Sequence, residues 1–350
     1  MLGFLVRRVG WAIVLLLAVS LVTYIIFFVL PAAPTGRGRL GQEEAGIRDA
    51  FTFEGPVWKE YAQFVHGVFI EGDLGRSLSN RRPVSEIVVQ RAPVTLFLIV
   101  GGLLLMLTIA IPIGLLSALR PRSLLDRGTM LFVIIGISLH PAWIGLILSY
   151  FLGYKWRVTP LQGYCDLVDP AGACGGPRQW ASHLLLPWFT FAIVFAAMYA
   201  RMIRASVIES LREDYVRTAR AKGASEGLVI RRHVLRNASM PVMTMLALDI
   251  AGGLGAGAFA TVIFIENVFG LPGLGGLMLE GLRRRDPPLV LGAVIFVSTM
   301  IVLVTLVIDL LYSALDPRVR TAPRRGLSVR LRRRGGGDEP APVPVGATTQ

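Results

Sequence analysis

The chain has 350 residues, 53% of them hydrophobic and only 17% charged, with a formal net charge of +13. Soluble domains average about 45–50% apolar and about 25% charged residues, so this composition excludes an ordinary water-soluble globule and points to lipid. The basic excess is spread over separate polar segments with no aromatics interleaved, which argues for anionic lipid and against nucleic acid.

A helical crossing of a bilayer needs roughly 20 apolar residues. Six stretches reach that length, at residues 9–30, 94–119, 128–152, 183–203, 241–265 and 289–315. The sequence therefore predicts an all-α, multi-pass membrane protein with six transmembrane helices. The first stretch follows Arg7 and Arg8, and the small residues of "VLPAAPTG" after it would suit signal-peptide cleavage. Its apolar run is longer than a signal core, so a retained first helix is the expectation.

Residues 1–93 form a first unit, a helix followed by a long polar segment. Within that segment Trp58, Tyr61, Phe64, Val65 and Val68 fall at helical spacing and could share one face. The following "GDLGRSLSNRRPVSEIVVQRAP" reads as a surface loop leading into a helix. A second unit, residues 94–320, holds the other five spans, and residues 321–350 form an Arg-, Gly- and Pro-rich tail expected to be disordered.

Lys and Arg concentrate in alternate loops. Arg120, Arg122 and Arg127 face one Asp126, and residues 204–240 carry Arg204, Arg212, Arg217, Arg220, Lys222, Arg231, Arg232 and Arg236. By the positive-inside tendency both termini are cytoplasmic. The two cysteines, Cys165 and Cys174, then fall in one outer loop, where a disulfide is expected and two free thiols are the alternative.

Chemistry-bearing patterns are few. There is no G-x-x-x-x-G-K-[ST] phosphate loop, so ATP is not expected to bind this chain by that route. Gly253 and Gly257 suggest a close helix contact within an apolar segment. His66, His140, His183 and His233 are scattered without a second ligand nearby, and no metal site or catalytic triad can be drawn. Asp249 and Asp309 fall inside spans. An intramembrane acid is expensive, so Asp249 is a pathway or gating candidate against a plain interhelical hydrogen bond, while Asp309 could reach the headgroups.

The polar stretch "DYVRTARAKGASEGLVIRRHVLRNASMP" is the most informative. Val207, Leu211, Val216 and Ala219 recur near helical spacing, Gly223 permits a sharp break, and Ser225 can cap a second helix through Leu228, Val229 and Leu235. The residues suggest a helix–turn–helix projecting from the membrane; an ordinary basic loop is the plain alternative. The stretch resembles the cytoplasmic EAA loop of ATP-binding-cassette importer permeases, in the form found in dipeptide, oligopeptide and nickel permeases. "GDLGRSLSNRRPVSEIVVQRAPVTL", "ENVFGLPGLGGLML" and "VIDLLYSALDPRVR" resemble the same subfamily, in order and spacing, from Met1 to about Arg320.

The resemblance implies the type I importer permease (MetI-like) fold. It also implies a bacterial cytoplasmic-membrane location, no catalysis and no cofactor in this chain, with ATP and magnesium on partner subunits. The partners it implies are a second related permease, two cytoplasmic ATPases and an extracytoplasmic binding protein. The coupling loop would comprise Asp214, Tyr215, Arg217, Thr218, Ala219, Lys222, Gly223, His233, Leu235 and Arg236. Gly223 and Ala219 match the motif's central glycine and its alanine. The motif's glutamate falls at Arg217, and its terminal leucine–proline at Leu235 and Arg236, so a salt bridge assigned to that glutamate does not transfer. A stand-alone secondary transporter and a membrane-embedded enzyme are rivals, but the paired intramembrane charges or clustered acids and histidines they need are absent from the sequence.

Overall fold

The computed structural model describes residues 2–26, 57–167, 174–249 and 257–315. Among these the only β pairing is two isolated bridges, Arg76 with Pro83 and Asp166 with Gly175. Everything else regular is helical: α1 (Leu2–Tyr24), α2 (Val57–His66), α3 (Val84–Leu119), α4 (Leu124–Ser138), α5 (Pro141–Leu148), α6 (Pro177–Arg212), α7 (Asp214–Ala221), α8 (Glu226–Val229), α9 (Leu235–Leu248), α10 (Gly257–Phe269), α11 (Leu274–Arg284) and α12 (Pro287–Leu315).

The axis of the bundle is the pair α3 and α6, each a 36-residue helix. Small residues let their backbones approach. A Cβ at Gly102 would lie 2.7 Å from the Phe191 ring, and one at Gly114 would lie 2.7 Å from the Ala200 carbonyl oxygen. In lipid, where apolar burial no longer drives association, such close packing supplies the attraction. The Trp188 indole N–H also donates to the Phe97 carbonyl at 2.9 Å. Around this axis α4 and α9 lie against α6, while α1 lies against α12.

Hydropathy marks six stretches as crossings, and the structure adds where they bend. Among the described residues three unbroken helices are long and apolar enough to cross a membrane: α3, α6 and the first 20 residues of α12. The stretch expected as one helix over residues 128–152 is bent by 108° between α4 and α5. The cause is Pro141, which has no N–H to continue α4 and holds the preceding residues extended, while His140 Nδ1 accepts the Ala142 N–H at 3.3 Å to start α5. A second bend, of 76°, separates α10 from α11 at the Gly270–Gly273 turn, where Gly270 has φ +61°. Counting each bent pair as one span raises the number to five; α1 adds a shorter apolar run, Val9–Tyr24.

The stretch expected over residues 241–265 is shared between α9, which starts earlier at Leu235 and contains Pro241, and α10. Gly253 lies outside the described residues, as does the tail beyond residue 315. Asp309 falls in α12, but its side chain is not among those described. In α2, Phe64 is buried, Tyr61 and Val65 pack beside it, and Val68 is buried in the following π-helical turn. Trp58, expected on that face, is 72% exposed and belongs to the other side. The segment read as a surface loop is anchored instead: Leu74 and Ser77 are buried against the start of α12.

Candidate coupling surface and central cavity

The helix–turn–helix forms at the end of the bundle where α6 stops. Extended Glu213 ends α6, and α7 follows. The end of α7 is a Schellman turn: the Gly223 N–H bonds the Arg220 carbonyl at 2.9 Å and the Ala224 N–H bonds the Ala219 carbonyl at 3.2 Å. Gly223 takes φ +78°, the left-handed conformation such a turn requires and glycine adopts without strain. Ser225 occupies the cap position of α8 but its side chain makes no capping bond. The clamp is ionic instead, with Arg220 Nε and Nη2 reaching the two Glu226 oxygens at 2.8 and 3.1 Å. From Glu226 the chain stays helical through a π-helical turn at Ile230–Val234 into α9, so the second arm of the motif is continuous with a bundle helix.

The motif is seated by valines. Val216, Val229 and Val234 are each fully buried against Val207, Ala238, Val242 and Ala118, with Tyr215, Ala219 and Ala224 packed alongside. Burying one valine is worth roughly 1.5–3 kcal/mol, which holds an otherwise polar motif to the bundle. Leu228, by contrast, is 47% exposed, because the apolar face runs through Val229. His233 and Leu235 are half-buried, whereas Asp214, Arg217, Thr218, Lys222, Gly223 and Arg236 are exposed. The Asp214–Arg217 contact, 3.6 Å and open to solvent, contributes little stability. Of the ten loop positions, four are thus half-buried and six exposed.

Beneath the motif, Arg204 is not the free loop charge its sequence position suggests. Its Nε and Nη2 bond the two oxygens of buried Asp126 at 2.6 and 3.0 Å. Ser117 Oγ and the Arg122 N–H donate to the same carboxylate at 2.6 and 2.9 Å, tying α3, α4 and α6 together at this end.

Deeper in the bundle a cavity of about 420 Å³ opens among α3, α6, α9, α10, α11 and α12. Its wall is almost wholly apolar. Asp249 lies on it, and Tyr199 donates its hydroxyl to Asp249 Oδ2 at 2.6 Å. That is a hydrogen bond between helices, and it places the carboxylate on the cavity wall as well, so both sequence alternatives for Asp249 meet in one arrangement.

Two acids that sequence reasoning passed over organise the opposite end. Glu266, fully buried in α10, accepts Thr95 Oγ1 of α3 at 2.6 Å and the Gly276 N–H of α11 at 2.9 Å, while Thr95 accepts the Leu274 N–H at 2.9 Å. This set fixes the α10–α11 bend onto α3. Gly273 and Gly275 pack directly against the Glu266 carboxylate, leaving no room for a side chain. Asp286 accepts Ser77 Oγ at 2.6 Å, the Ser79 N–H at 3.0 Å and Ser79 Oγ at 2.8 Å, and caps α12 through the Leu289 N–H at 3.3 Å. Burial pushes the Asp286 carboxyl up, but the bonds from Ser77 and Ser79 outweigh it and hold the group below the ordinary aspartate value. The Asp-Pro-Pro run is a cap signal that could have revealed Asp286, and Glu266 fell just past the end of an expected span.

Cys165 and Cys174 are joined as a disulfide with Cα atoms 5.3 Å apart. His183, read from sequence as isolated, has Nδ1 3.3 Å from Cys165 Sγ and 2.8 Å from the Gln179 carbonyl oxygen. The two sulfurs and the imidazole are close enough to share a soft cation only with both thiols reduced, and here the sulfurs bond each other.

Comparison with known proteins decides the family. Residues 110–321 match the binding-protein-dependent transport system inner membrane component, and residues 1–99 match "Binding-prot-dependent transport system membrane comp, N-term". The chain belongs to this family. It is 35% identical over 342 residues to the dipeptide transport system permease protein DppB of Escherichia coli (strain K12), covering 91% of this chain and 99% of the relative. It is 34% identical over 339 residues, with the same coverage, to the di/tripeptide transport system permease protein DppB of Pseudomonas aeruginosa (strain UCBPP-PA14). To the dipeptide transport system permease protein DppB of Alkalihalophilus pseudofirmus it is 30% identical over 338 residues, covering 91% of this chain and all of the relative. The chain is an integral membrane permease of the DppB/OppB-like type, and its family is one of transport subunits.

Proposed function

We propose that this permease is the membrane subunit of an ATP-driven peptide importer, in a bacterial cytoplasmic membrane, and that residues 214–236 are where partner ATPases grip it. The observation that carries this reading is the division of the loop. Valines bury one face of the helix–turn–helix, while Asp214, Arg217, Thr218, Lys222 and Arg236 are left exposed in a rigid frame. A loop that only set orientation would need no such frame. The basic side then lies in the cytoplasm with both termini, the chain crosses six times, and the disulfide lies outside. ATP binding on the partners closes them, the motif moves with them, and the bundle alternates which side its cavity faces.

The remaining partners are a second, related permease and an extracytoplasmic binding protein that docks on residues 31–93. The names of the relatives support peptide cargo; nickel chelates or another solute carried by the same machinery is the second reading. The test is a mild-detergent pull-down of the tagged chain from its native membrane. A P-loop ATPase and a second permease in stoichiometric yield are expected. Recovery of the chain alone, active in liposomes without ATP, would move the case to a secondary transporter.

A further inference from the structure

Among the described residues the buried acids of this bundle are held by several bonds each. Asp126 is clamped by Arg204, Ser117 and the Arg122 N–H, Glu266 by Thr95 and the Gly276 N–H, and Asp286 by Ser77, Ser79 and the Leu289 N–H. Asp249 differs. Among the described residues its carboxylate has one partner, the Tyr199 hydroxyl, and no Lys, Arg or His lines the cavity it borders. An acid at membrane depth costs several kcal/mol unless it is paired. A cation entering the cavity would recover that loss.

The rest of the wall has a complementary character. Phe191, Phe195, Phe259 and Phe296 give broad apolar surfaces, and Met198 and Met300 give flexible thioethers that repack around different shapes. The volume, about 420 Å³, is that of a small-molecule pocket. One fixed anion beside an adaptable apolar wall suits a ligand family with one constant cation and variable side chains. Linear peptides are such a family, because each begins with an α-ammonium group whose pKa is about 7.7–8.0.

We infer that this cavity is a cargo subsite, in which Asp249, oriented by Tyr199, receives the free N-terminal ammonium of a short peptide while the Phe and Met wall accepts its side chains. The inference rests on the peptide-importer reading and deepens it: the permease itself, downstream of any binding protein, tests the cargo for a primary amine.

The experiment uses the assembled importer in nanodiscs, without binding protein, and measures equilibrium binding of radiolabelled alanyl-phenylalanine and of its N-acetylated form. The unaltered complex is expected to bind the free-amine peptide at least tenfold more tightly. Asp249→Asn should abolish most of that preference, Asp249→Glu should keep it, and Tyr199→Phe should narrow it. Equal binding of the two peptides by the unaltered complex, no saturable binding of either, or an Asp249→Asn complex with its preference intact would each overturn the inference. ATP hydrolysis by the unaltered complex, and its acceleration by peptide-loaded binding protein, report on the importer reading separately. If both are present while the amine preference is missing, the subsite alone is wrong.

Discussion

The helix–turn–helix and the opposite end of the bundle handle charge in opposite ways. In the α7–α8 motif, above the buried Asp126–Arg204 clamp, charged residues point outward and buried valines do the holding. At the α11–α12 end, Glu266 and Asp286 are turned inward, each bonded by backbone N–H groups nearby and by hydroxyls from distant parts of the chain. A buried acid with several bonds resists displacement, because moving it strands those polar groups at once. An exposed charge on an apolar seat can change partners freely. The first design suits a surface that is gripped and released, the second a bend that must keep its angle.

Substitutions can break this contrast. The largest effect is expected from Glu266→Ala, which strands the Thr95 hydroxyl and the Gly276 N–H and opens a void between α3 and α10: about 3 kcal/mol, read as a fall in the unfolding midpoint in detergent. Asp286→Ala should cost about 2 kcal/mol in the same assay, since it removes both the cap of α12 and the anchor of the Ser77–Ser79 segment. Its pH dependence has a definite sign. The folded-state carboxyl is held low, so its stabilisation is complete above the unfolded value of about 4 and fades as pH falls through the lower folded value. Ser77→Ala should shrink that acid-side loss, which matched pH titrations of stability would detect.

At the other end stability and transport should separate. Gly223→Asp forces a side chain into φ +78°, where a Cβ meets no neighbour, so folding should lose only about 1 kcal/mol while ATP hydrolysis and uptake become uncoupled. Normal uptake by that variant would refute the coupling role. Arg217→Ala should be smallest in stability, within about 0.5 kcal/mol, yet should lower ATPase recovery in the pull-down. A variant that lost stability and kept the ATPase would reverse the proposed division between the two ends.

The sequence exposed some of this architecture and hid the rest for physical reasons. The helix–turn–helix was legible because its signals are local: helical spacing of apolar residues, a glycine at the break and dense basic charge. Hydropathy found the apolar stretches but not the bends at Pro141 and Gly270–Gly273, since a running average records composition and carries no direction. The partners of Glu266 and Asp286 were invisible. Thr95 lies 171 residues before Glu266, and Ser77 lies 209 before Asp286, so only the folded chain brings them together. Asp249 stands out in the sequence for its cost, but the cavity beside it is assembled from six helices.

The unbroken helical path from Glu226 through α9 makes the second arm of the motif and the cavity wall one lever. At 1.5 Å per residue, Asp249 lies about 22 Å beyond the π-helical turn at Ile230–Val234. A tilt of about 10° at that turn would swing the carboxylate through roughly 4 Å, more than the length of a hydrogen bond. A small rotation imposed outside the membrane is thus enough to make or break whatever Asp249 holds.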